Sequence, residues 1–471
     1  MSRGQLAILT TFLALVVNSD LSAQKAATNP VATQEIAASG PDETIRKPTS
    51  QEQRRKIVFD ILEEAHTAAA ELSTEQRLPI LKEICWTAFA STDRLMARVP
   101  TANTRTRSRA LQTLDRETTE RLANWAEELY QLANDLPQGS YAKLDAQSAA
   151  VRSMVPVDDN RALEMLDGLE SSDTQAGRQA VNNLAIFVFT EALSRRGDAA
   201  VPELRTRAQS LGESGQYPYD AMAAVMGRIG NKKAAQAIFL DALTAFQHAD
   251  ENLNSMLGML SITRAGRKRR VLEPWQAHEG AVAITDRLKA EIAIEQKAYE
   301  HGKQMRPGLS IIVKSMETGL REIDPVLAAT LPSLPPYKPV VAQATVSRTA
   351  TPKEAPSPEL QKQQEEFGKT SIRLMELSES EVHGGPELQQ VIDKGVDQAA
   401  TLLHTATENA KDHASALVEA MPRVTDFIQV GARTNPAMTL AAVRKVQDSE
   451  IRARMLVTIT VGLPDPNFKG W

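Results

Sequence analysis

One cysteine in 471 residues, Cys85, is the scarcest feature of this chain. A lone thiol forms no intramolecular disulfide and cannot supply the paired thiolates of a zinc-ribbon site. Its neighbours Ile84 and Trp86 put it in an apolar helical stretch, so a buried, inert thiol is expected rather than a nucleophile. Aromatic residues are also sparse, at 4%. Ala, Leu, Glu, Gln and Arg abound instead, a mixture that favours helix and disfavours pleated sheet. Long apolar runs are missing as well. After the first twenty residues the best is Leu184–Phe189, far short of the ~18 residues a membrane span needs. The net charge of −5 is too mild to draw the chain to nucleic acid or to an anionic membrane, and no nucleic-acid partner is expected.

The common chemical signatures are absent too. Gly227-Arg-Ile-Gly230-Asn-Lys lacks the spacing of a phosphate-cradling loop. Gly212-Glu-Ser-Gly215 reads as a turn and not as a nucleophile elbow. His278-Glu279 lacks the second histidine of a zinc-protease helix. No catalytic residue, cofactor or metal ligand is assigned from the sequence.

What the chain does have begins at Met1. One basic residue, Arg3, precedes the largely apolar run Leu6–Val17 and a polar stretch through Ala23. This is the layout of a secretory signal, with cleavage expected after Ala23. The run rises only about 18 Å as a helix, too short for the ~30 Å hydrocarbon core. The product is expected in a periplasm or outside the cell, without a membrane span once the signal is removed. Residues 24–50, rich in Ala, Thr, Pro and Ser, read as a disordered leader. Residues 51–333 read as a helical-repeat domain. Residues 334–358 carry many prolines and no helical period, and read as a mobile linker that leaves the C-terminal helical segment, 359–471, semi-independent.

Within the helical regions, apolar residues recur at three- and four-residue steps, as in Ile57, Val58, Ile61, Leu62, Ala65, Ala69 and Leu72. Ser73 and Gln76 have capping-box spacing, although Pro79 moves the expected helix start to Leu78 or Pro79. Further helices are expected near 109–134, 141–152, 159–170, 175–195, 200–212, 218–229, 231–248, 251–263, 274–301, 359–378, 386–420, 423–432, 435–447 and 449–461. Loops of two to six residues between them make neighbours antiparallel.

Weak internal similarity runs through this pattern. Asp158-Asp-Asn-Arg-Ala-Leu163-Glu-Met-Leu166 overlays Asn435-Pro-Ala-Met-Thr-Leu440-Ala-Ala-Val443, and Ile323-Asp324-Pro325 begins in the same way. Gly230-Asn-Lys-Lys-Ala234-Ala235-Gln-Ala-Ile-Phe239-Leu-Asp-Ala242 has the small–small–aromatic–small order of a tetratricopeptide-type hairpin. On these stretches, together with Leu72–Leu81 and Lys143–Leu169, the chain resembles exported, mostly uncharacterised bacterial helical-repeat proteins with tetratricopeptide- or HEAT-like hairpins. The resemblance implies an all-α fold of stacked antiparallel hairpins, an α-solenoid-like array with a smaller C-terminal bundle. It carries over no catalytic residue.

Three constellations stand out. Gln390, Lys394, Asp397, Thr401, His404 and Glu408 form a polar stripe, in which His404 and Glu408 are spaced to share a metal ion but make a poor two-ligand site. Its plainer reading is a solvated face. The basic run Arg264 to Arg270, ending near Trp275, carries five charges that could hold an anionic ligand, and otherwise reads as a wet loop, with a smaller cluster at Arg105, Arg107 and Arg109. Glu63, Glu64 and His66 are one of many chance acid groupings among 59 acidic residues. The expected function is a non-catalytic extracytoplasmic scaffold for a protein or peptide partner. The alternative is an exported polysaccharide lyase or hydrolase working in a helical cleft.

Overall fold

The computed structural model describes residues 50–97, 115–169, 175–213, 217–248, 253–301, 309–334, 358–380, 383–408 and 413–464. The expected signal, the leader, most of the Pro-rich stretch and the Arg105–Arg109 cluster lie outside these residues. Every regular element among the described residues is helical, as the composition predicts.

The chain runs through α1 (Ser50–Ala69), α2 (Thr74–Ala97), α3 (Arg116–Asn134), α4 (Tyr141–Met154), α5 (Asp159–Asp167) and α6 (Gln175–Arg196). A 3₁₀ turn leads to α7 (Val201–Glu213), α8 (Tyr219–Met226), α9 (Lys232–His248), α10 (Leu253–Lys268), α11 (Pro274–Glu300), α12 (Leu309–Ile323) and α13 (Pro325–Ala328). The last group is α14 (Pro358–Glu379), α15 (Pro386–Glu408), α16 (His413–Thr434), α17 (Pro436–Val443) and α18 (Ser449–Gly462).

Four expectations need correction. α2 starts at Thr74, directly after Ser73, and carries Pro79 within it. The missing N–H of Pro79 costs only the bond to Glu75, one turn from the start of the helix. α10 continues to Lys268, so most of the basic run is a helical C-terminal turn and not a loop; cations there complement the helix dipole. α12 was not anticipated, although Leu309, Val313, Met316, Leu320 and Ile323 line its buried side. The expected helix 386–420 is two helices, α15 and α16, and α16 runs through Pro422 to Thr434. The carbonyl that Pro422 leaves unbonded belongs to Val418, which is 74% exposed and open to water.

The internal similarity marks one recurring joint. Asp158, Asp324 and Asn435 each cap a short helix with nearly the same backbone, φ/ψ of −142°/102°, −145°/96° and −151°/97°. Each also returns its own N–H to the helix just ended, at Met154 O, Leu320 O and Gly431 O, over 2.7–2.8 Å. Their side chains accept from the first turn that follows: Arg161 N, Leu327 N and Met438 N. One residue thus satisfies orphan groups at both helix ends, which makes so tight a turn affordable.

Packing joins the helices in two series. Even-numbered helices contact one another in the order α14, α16, α18, α2, α4, α6, α8, α10, α12. Odd-numbered helices are stitched by side chains. Asp393 of α15 meets Lys445 beyond α17, Arg444 there meets Glu64 of α1, and Asp60 and His66 of α1 meet Arg121 and Glu128 of α3. Glu127 then meets Arg161 of α5, Asp167 meets Arg207 of α7, and Arg205 meets Asp241 of α9 through two bonds. Arg287 of α11 reaches the carbonyl of Phe246 in α9, and His278 reaches Asp324 at the start of α13.

The 359–471 segment therefore does not stack after α13. It docks on the other end, where α18 packs against α1 and α2. From Glu450 to Thr460 every residue of α18 except Arg452 is buried. Buried Glu450 accepts hydrogen bonds from Gln76, from Arg454 and, at 3.0 Å, from His413, and Arg454 also reaches Glu83. Arg54 Nη2 donates to the carbonyl of Leu463 at 2.6 Å. The two ends of the described chain thus form a helix pair between them.

α15 is held against α16 by a close approach. A Cβ at Gly395 would lie 2.0 Å from the ring of Phe427, which itself packs 5.4 Å from Phe367 of α14. Gly395→Ala is expected to cost about 1–3 kcal/mol in urea unfolding, as overpacked cores do. An unchanged midpoint would show that the ring has room to move.

Candidate functional site

A groove of about 690 Å³ lies between α14 and α15. Four members of the sequence-predicted stripe line it, Gln390, Lys394, Asp397 and Thr401, joined by Gln363 and Glu366 of α14. The local fold explains the alignment. Leu388, Ile392, Val396, Ala399 and Leu403 bury one side of α15, so residues at 390, 394, 397 and 401 are turned away from that core. Gly385, at φ +108°, supplies the left-handed turn before Pro386 opens α15, and Asn435 pins the turn by donating to His383 O at 2.8 Å. Thr370 of α14 donates to Gln398 Oε1 at 2.7 Å, and Arg373 pairs with Glu387.

Some groove residues are already engaged. Asp393 accepts from Lys445 at 3.1 Å and from Gln389 at 3.0 Å. Glu366, Gln390, Lys394 and Asp397 make no side-chain bond to another described residue, and Gln363 Oε1 is shut from solvent without a donor. The two outer members of the stripe fall elsewhere: His404 and Glu408 pair with each other at 3.1 Å in the open. No group of three or more His, Cys, Asp or Glu residues placed to hold a metal ion occurs among the described residues. Gln363 and Glu366 were missed because they come from another helix; the only sequence trace is the polar run Gln361–Glu366.

A second cavity, about 430 Å³, lies where α1 meets α3, α17 and α18. It takes in Glu63 and Glu64 of the Glu63, Glu64 and His66 grouping, but the charges in and beside it largely satisfy one another. Glu64 is paired with Arg444, Asp60 with Arg121, and His66 with Glu128 at 2.8 Å. Burial raises the Glu128 carboxyl, yet the hydrogen bond and charge of His66 and the charge of Arg77 outweigh it and leave the group below its ordinary value. A carboxyl lowered in the fold contributes stability that is complete above its unfolded value, about 4.3, and is lost as pH falls through the folded value. Glu128→Gln is therefore expected to flatten the acid limb of a melting-temperature profile below pH 5. An identical acid limb would show that the pair does not contribute.

The remaining sequence candidates are accounted for individually. Cys85 is fully buried; desolvation and the nearby Glu128 charge push its thiol far above the ordinary range, against a hydrogen bond from Ser153. In the basic run, Arg264 pairs with Glu322 of α12 at 2.7 Å, while Arg267 and Arg269 are exposed. Trp86 and Tyr141 are 51% and 71% exposed. They stand on adjacent, parallel helices tied by Lys82–Asp145 at 2.6 Å, and Arg152 lies 5.5 Å from the Trp86 ring. Among the described residues no helix is long and apolar enough to cross a membrane. No protein-family model matches the chain, and no curated protein matches it in sequence.

Proposed function

We propose that this chain is an exported, non-catalytic scaffold whose hairpins stack as an α-solenoid-like array and hold a protein or peptide partner. The observation that carries the reading is solvent-exposed Trp86 with Arg152 beside its ring, accompanied by exposed Tyr141 on the next helix of the even-numbered series. Large aromatic side chains left in water beside a cation are the usual anchors of protein interfaces. The lateral order of the helices supports it, because arrays in which each unit touches only its neighbours present long, open surfaces.

The test is a photo-crosslinking residue at position 86 in cells of the source organism, followed by fractionation. The expected result is one discrete adduct in the exported fraction, lost when Tyr141→Asp is added. Adducts only with the chain itself, or a product confined to the cytosol, would overturn the reading.

A further inference from the structure

We propose that the α14–α15 groove binds an extended, lysine- or arginine-bearing peptide segment, a refinement that rests on the scaffold reading above. Charge sets the sign of the ligand. Glu366, Asp393 and Asp397 face one ammonium, that of Lys394. Asp393 is already occupied by Lys445 and Gln389, which leaves Glu366 and Asp397 open to an incoming cation.

The amides set its chemistry. A glutamine side chain offers one carbonyl acceptor and an NH₂ donor, the same pair that a peptide group presents. Gln363, Gln390 and Gln398 line the groove, and the Gln390 amide is not engaged by another described side chain. The lining contains no aromatic ring, the platform on which sugar rings or bases would stack. The stripe from Gln390 to Thr401 rises about 16 Å along α15, the reach of roughly five extended residues.

The test uses the full chain from Gln24 and a fluorescein-labelled hexapeptide of alternating Lys and Ala, read by anisotropy at low salt. Saturable binding is expected, with none for the matching Glu–Ala peptide. The double variant Glu366→Lys, Asp397→Lys is expected to weaken binding at least tenfold. Gln363→Leu with Gln390→Leu, which keeps the charge, is expected to weaken the peptide severalfold while leaving spermine competition unchanged. Both variants change solvent-facing or half-buried positions, and circular dichroism confirms that they fold. The proposal is overturned by absence of saturable binding, by indifference to charge reversal, or by an amide variant that binds like the parent. Any of these makes the groove a hydrated end face, yet leaves an adduct at position 86, and with it the scaffold reading, standing.

Discussion

A chain ending at Leu334 is expected to lose amide-exchange protection throughout α1 and α2 while α8, α10 and α12 keep theirs. The reason is where the C-terminal segment sits. α18 is a core helix for α1, and Ile451, Met455, Leu456, Val457 and Ile459 are each at most 5% exposed. Burying side chains of that size is worth about 1.5–3 kcal/mol apiece. Their combined loss is on the order of the ~5–15 kcal/mol that keeps a whole domain folded. Glu450 and its partner His413 would be lost in the same cut, leaving Gln76 without its bond to Glu450. Because contacts run between lateral neighbours, the damage should stay local and fade along the series. A point variant asks the same question without truncation. Ile459→Asp places a carboxylate at a position with no exposure, and exchange should rise at the α1–α18 seam first. Uniform protection in the shortened chain would show that 359–471 is an appendage.

That dependence is the part of the fold least legible in the sequence. Periodicity located most helices because each amphipathic face is written in residues three and four apart, as in α3 and α15. Capping chemistry located the recurring joint, since Asp158, Asp324 and Asn435 act within three residues of themselves. Proline misled at two places, Pro79 and Pro422, because a helix tolerates the lost bond near its start or on an exposed face. The pairing of α18 with α1 spans some four hundred residues and leaves no local mark; Arg54 and Leu463 look ordinary in isolation. The candidate groove was half visible. Its α15 wall shows as a polar stripe, whereas Gln363 and Glu366 join it only through the antiparallel packing of α14, seen in the Thr370–Gln398 bond.

A circular permutant that begins at residue 358, runs to 464, passes through a short Gly–Ser link and continues from residue 50 to 334 is expected to fold with undiminished helicity. It should melt no lower than the parent. The Arg54–Leu463 bond places the start of α1 beside the end of α18, so the new link has little distance to cover. In the parent, 23 residues between Leu334 and Pro358 connect the two ends of the packing series. Fully extended they reach about 80 Å. Helices packed side by side at 8–10 Å over eight lateral steps cover roughly 65–80 Å if the series is straight. The permutant replaces that long closure with a short one between adjacent helix ends, which lowers the entropy of the unfolded chain without altering a core contact. A permutant that aggregates, or melts well below the parent, would mean that the connection itself helps hold the series together. One that melts higher would identify α18 and α1 as a hairpin in everything but covalent continuity, and the 23-residue connection as a tether whose work is to keep the two ends of the array on one chain.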